Sequence, residues 1–145
     1  MVPEPPVLAE PRAGRDNQRV AEPQQQYSVE QANQLLPVLT PVLNSVVREL
    51  GTATDARALS QVRAAASHNG GGAAASAMLR AGRRLERELE FLREHGILLR
   101  DPEVGLVDFP SQREGRLIYL CWRLGEPEVQ FWHARDEGFV DRQPL

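Results

Sequence analysis

Cysteine occurs once in this chain, at Cys121, which leaves no internal disulfide framework and no Cys-rich zinc or iron–sulfur site. Lysine is missing altogether: all 17 basic residues are arginine. Schiff-base chemistry and the ammonium of a phosphate-binding loop are therefore closed as mechanisms. Aromatic residues make up only 6% of the sequence. No run reaches the roughly 18 consecutive apolar residues of a membrane helix. The N-terminus also lacks the basic start and apolar core of a signal peptide. With 17 basic against 20 acidic side chains the net charge is −3, which gives a phosphate backbone little to bind. These absences predict a soluble, cytoplasmic protein with neither a membrane nor a nucleic-acid partner.

The 145 residues suit one domain, and the first 26 contribute little to it. Residues 1–26 carry five prolines, a Gln-Gln-Gln run and scattered charges of both signs. That composition offers too little apolar surface to offset chain entropy, so a disordered N-terminal tail is expected. The remaining stretch, 27–145, is predicted to be a single α+β domain: a helical hairpin over 27–95, then a small sheet and C-terminal tail over 96–145. Ser28 and Gln31 form a capping-box pattern. After it, Ala32, Leu35, Leu36, Leu39, Val42, Leu43, Val46 and Leu50 recur at helical spacing. Pro37 and Pro41 interrupt this stripe without changing its phase, which predicts one long, bent helix or two nearly collinear ones, running to about residue 66. Ser67 to Gly72 reads as a loop. A second helix follows from Ala73, with Met78, Leu85, Leu89 and Leu92 along a heptad-like seam, and Gly96 is its stop signal. Two long helices on a short loop make an antiparallel hairpin.

After Gly96 the period becomes alternating. Strands are expected at Ile97–Leu99, Leu106–Phe109 (closed by Pro110), Arg116–Leu124 and Val129–His133, with Asp136 to Leu145 forming an ordered tail packed on the sheet. The turn at 125–128 decides which side chains meet. A four-residue loop pairs Leu124 with Val129, Trp122 with Phe131 and Leu120 with His133, gathering the apolar groups on one face. Cys121 and Trp132 then lie on the other face, away from His133 and Trp122, with the tail from Phe139 to Leu145 as the simplest cover. A three-residue loop mixes charged and apolar groups on both faces, and burial favours the four-residue register.

Several stretches resemble one known family. They are Gly105-Leu106-Val107-Asp108-Phe109-Pro110, Tyr119 to Glu128, Phe131-Trp132-His133 and Arg142-Gln143-Pro144-Leu145, together with the opening Tyr27 to Asn33. In these words the chain resembles the bacterial family of domain of unknown function 2203, over most of residues 27–145. Asp141 stands where that likeness leads one to expect glycine. The resemblance implies domain limits and no activity.

Two functions of different class follow from the residues. The first is a small-ligand or divalent-metal site in the C-terminal sheet. His133, with Glu126 and Glu128 across the loop and Asp136 one turn on, offers a metal-ligand set; a buried histidine bonded to a carboxylate or carbonyl is the alternative. Asp108, Arg123, Trp132 and Arg142 are the candidate ligand-binding residues. Asp108 points away from its apolar neighbours and needs a partner, either an arginine (Arg116, Arg123 or Arg142) or an acid–base counterpart in Glu126 or His133. Cys121 reads as a small buried hydrophobe. The second function is an interaction module, a homodimer built along the Met78–Leu92 seam.

Overall fold

The computed structural model describes residues 23–54, 64 and 72–145. Helix α1 spans Val29–Thr54 and helix α2 Ala73–Glu94. Five strands follow: β1 Leu98–Asp101, β2 Leu106–Arg113, β3 Arg116–Arg123, β4 Phe131–Ala134 and the short β5 Gln143–Pro144. A 3-10 turn, Phe139–Asp141, precedes β5. Residues 1–22 of the predicted tail, 55–63 and 65–66 of the predicted helical stretch, and 67–71 of the predicted loop lie outside the described residues. No helix among the described residues is long and apolar enough to cross a membrane.

The capping box closes α1 as the sequence predicts. The Gln31 amide N–H donates to Ser28 Oγ at 3.1 Å, and the Ser28 N–H donates to Gln31 Oε1 at 2.9 Å. The helix runs unbroken through Pro37 and Pro41, because its apolar stripe has a surface to bury against on both sides of them. Ala32, Leu36, Leu39, Leu43 and Val46 are all in the core. Past the end of α2 and its cap His95, Gly96 turns the chain back with a φ of +62°, and the Ile97 N–H donates to Leu92 O at 2.9 Å. The start of α1 meets the end of α2 where Tyr27 Oη donates to His95 O. Further along, Arg84 pairs with Glu49 at 3.3 Å. The two helices are therefore antiparallel.

The strands form one antiparallel meander in the order β1-β2-β3-β4-β5. Val107, Phe109, Ile118, Leu120 and Trp122 face the helices and build the core with Tyr27, Leu92, Ile97 and Val129. Strand β2 continues past Pro110, where the sequence reading ended it. The Pro110 carbonyl accepts the Tyr27 N–H at 2.7 Å. A residue's N–H and C=O point the same way across a sheet, so the donor that Pro110 lacks faces Tyr27 and not β3. The ladder to β3 loses nothing.

The β3–β4 register differs from the expected one. Tyr119 pairs with His133, Leu120 with Trp132 and Cys121 with Phe131. This is the phase of the rejected three-residue loop, and it turns His133 onto the Cys121 face and Trp132 onto the Trp122 face. The cause lies in how the connecting residues 124–130 are tied. The Leu124 N–H donates to Gly105 O at 3.0 Å, and the Val129 N–H donates to Asn33 Oδ1 at 2.7 Å. Val129 is thereby drawn into the helix-facing core and cannot pair with Leu124.

Candidate functional site

The face of the sheet turned away from the helices carries a buried polar cluster. Asp108 on β2 lies directly opposite Cys121 on β3, and His133 sits one diagonal step away on β4. All three are at most 2% exposed. One ligating atom from each, a carboxylate oxygen, a thiol sulfur and an imidazole nitrogen, lies within 4.8 Å of the others. Asp108 Oδ2 is 2.9 Å from His133 Nε2 and accepts from Arg100 Nε at 2.7 Å. Its second oxygen, Oδ1, is buried and has no hydrogen-bond partner among the described residues. The other ring nitrogen of His133, Nδ1, is 2.8 Å from the Ala134 carbonyl. Both ring nitrogens thus face oxygen acceptors, and a neutral ring can donate to only one of them.

Burial, and after it the Asp108 carboxylate, pushes the Cys121 thiol up to about 12, against an opposing pull from the Arg142 guanidinium. The sulfur is accordingly protonated at neutral pH and is no ready nucleophile. The rest of the wall is aromatic and basic. The Tyr119 ring lies 5.6 Å from the His133 ring, and the Arg100 guanidinium sits 5.0 Å from the centre of Tyr119. A cavity of about 290 Å³ opens beside the cluster, lined by Asp108, His133, Arg100, Arg135, Asp136 and Phe139 among others.

The structure brings together two of the residues singled out in the sequence, Asp108 and His133, and puts Asp136 on the wall of the same cavity. The other candidates are committed elsewhere. Glu126 takes Arg142 at 2.7 Å and the Arg123 N–H at 2.9 Å, while Glu128 meets Gln130. Arg142 is packed against Phe131 and Phe139, 4.1 and 4.2 Å from the ring centres. Arg123 lies over Phe139 at 5.7 Å. Trp132 packs on the helix-side core, with Arg113 stacked over it at 4.8 Å. The tail expected to cover the second face does so through Phe139 and Arg142, while its last residues add β5 to the sheet edge.

Two members of the site escaped the sequence reading. The four-residue turn register puts Cys121 on the face opposite His133, whereas the observed pairing puts both on one face. Arg100 is the residue that pairs with Asp108, where Arg116, Arg123 or Arg142 was expected. The strand pairing steps from Leu99–Val107 to Asp101–Leu106, and Arg100 is the extra residue of that bulge. A bulge re-aims a side chain in a way that alternation alone does not announce. The available signal was an arginine directly after the apolar run 97–99 and just before a turn leading back to Asp108.

Comparison with known proteins gives one match. The model of a family described as "Uncharacterized conserved protein (DUF2203)" matches residues 25–145. No curated protein and no solved structure matches the chain.

Proposed function

The chain belongs to the DUF2203 family, and from that premise we propose that its C-terminal sheet is a metal-binding site, in which Asp108, Cys121 and His133 hold one divalent cation. The observation that carries this reading is the convergence of three different ligand types from three adjacent strands, with Asp108 Oδ1 buried and unsatisfied. A buried carboxylate oxygen without a partner is costly, and a cation relieves it. The 2.8 Å approach of His133 Nδ1 to the Ala134 carbonyl suits the tautomer in which Nδ1–H donates there, the one that orients a ligating imidazole and leaves the Nε2 lone pair for a metal. A mixed O, N and S donor set suits a borderline ion, with Zn²⁺ the best fit, and binding would displace the Cys121 proton. Three protein ligands leave a fourth position open, the pattern of a zinc ion that meets a small molecule.

The test is a titration of metal-free protein with Zn²⁺ and Co²⁺, followed by elemental analysis after dialysis. The expected result is a single bound ion per chain, an absorption band of thiolate-bound Co²⁺ and a raised melting temperature. Cys121→Ser should abolish the band, and His133→Gln should weaken binding about 10- to 100-fold or more. If wild-type protein retains no metal and its melting temperature ignores both ions, the reading is wrong.

A second reading, a homo-oligomeric module built on the helical hairpin, is favoured by a different observation. Val38, Met78, Leu79 and Leu89 are exposed on the helices, Leu79 by 63%. The two readings concern opposite sides of the molecule and do not exclude each other.

A further inference from the structure

We propose that the cavity beside the cluster seats a small carboxylate, received by the guanidinium of Arg100. The side chain is already held in place for this task. Its Nε is bonded to Asp108 at 2.7 Å and its guanidinium lies against the Tyr119 ring. Those contacts use one of its five N–H groups, and among the described residues no other acceptor takes a hydrogen bond from it. The two terminal Nη groups remain, in the end-on fork that matches a carboxylate. The side chain is 43% exposed, so the fork is within reach of a molecule entering the cavity.

The lining suits a short acid. Arg135 supplies a second guanidinium, exposed and without a protein partner among the described residues, while Leu106 and Phe139 offer apolar wall for a few carbons. Glu137 is turned to its own loop, where its Oε2 accepts the Ala134 N–H at 3.1 Å. A volume of about 290 Å³ equals that of roughly ten liquid-water molecules, at about 30 Å³ each. A compound the size of butyrate or a four-carbon hydroxy acid fits. Charge links this seat to the cation. Arg100 and Arg135 face Asp108, Asp136 and Glu137, so the lining carries one excess negative charge. A divalent ion bound beside it offsets this excess and favours the anion. This coupling rests on the metal reading given above; the Arg100 seat does not. By reciprocity, the acid should tighten the metal by the same factor.

The experiment is an NMR titration of the full-length protein, following the arginine Nε–Hε signals, with butyrate and with its neutral isostere butyramide, in metal-free and Zn²⁺-treated samples. Butyrate should shift the Arg100 signal, more tightly with Zn²⁺, and butyramide should not. Arg100→Gln should weaken butyrate about tenfold or more, the scale of a lost charge-assisted contact. Arg135→Glu, at an exposed position where misfolding is no concern, should weaken it as well. The seat is overturned if butyramide binds as well as butyrate, if neither sample binds butyrate, or if both variants bind it like wild type. Should Arg100→Gln fail to fold, Arg135→Glu binding like wild type overturns it alone. If Zn²⁺ does not bind while butyrate still binds in an arginine-dependent way, the metal reading falls and the seat stands.

Discussion

At the residue scale the most informative group is Cys121. It is fully buried, and its thiol is held well above the ordinary value of 9.0, at about 12. Tyr27 is shifted upward by burial as well. A proton that the folded chain holds more tightly than the unfolded chain stabilises the fold below the unfolded value, and that contribution is lost as pH rises through the folded one. The metal-free protein should therefore keep its stability up to about pH 9 and lose it progressively towards pH 12. Urea denaturation below and above pH 9 checks this, and Cys121→Ala should remove part of the alkaline loss, leaving the share of Tyr27. Iodoacetamide should leave the native metal-free thiol unlabelled at neutral pH and label it once urea unfolds the chain. Rapid labelling of native protein would mean the thiol is neither buried nor raised. Of the site residues, Asp108 was readable from alternation, since Val107 and Phe109 beside it are core residues and it must face the other way. Arg100 was not, because a bulge residue obeys no alternation.

At the element scale, the ends of helices were readable and the phase of one strand pair was not. Ser28, Gln31 and Gly96 act within a few residues of themselves, so their chemistry is visible in a short window. Asp141, where glycine was expected, sits in the 3-10 turn with no positive φ, so the backbone does not require glycine there. Gly105 is a different case. Its φ is +65°, and an added Cβ would lie 2.8 Å from Leu124 Cβ and 3.4 Å from Val47 Cγ2. Its carbonyl also holds the Leu124 N–H. Gly105→Ala should destabilise by about 1–3 kcal/mol. Gly115 has a φ of +74° but open space around it, so Gly115→Asn meets backbone strain without a clash and should cost less than Gly105→Ala. Thermal melts of the two variants make the comparison, and equal melting temperatures would show that the Gly105–Leu124 contact constrains nothing.

At the scale of the whole molecule, the helical hairpin lies on one side of a five-stranded sheet and the polar cluster on the other. The side chain of Asn33 and the backbone of Tyr27 join the two halves, at Val129 and Pro110. In α2 only Leu92 is fully buried, and Leu85 is half-buried, while Met78 and Leu89 of the expected seam stay exposed together with Leu79. If that apolar surface joins two copies, sedimentation velocity should show a dimer at micromolar concentration, and Leu79→Glu should shift it to monomer. A wild-type monomer over the whole concentration range would remove the oligomer reading and leave the metal reading untouched.

The amino-acid order alone determined the α+β class, the helical stripes and their caps, the alternating C-terminal half and the inward or outward sense of Asp108, because each depends on residues within a few positions of one another. Only the tertiary structure decided the company that His133 keeps. The turn between β3 and β4 permits two phases, and a slip of one residue moves every side chain to the other face. The choice was made by Asn33 and Gly105, one on a helix and one in a distant turn, which anchor the two ends of that connection. Contacts so remote in sequence leave no periodic trace, and through them an imidazole, a thiol and a carboxylate came to share one buried face.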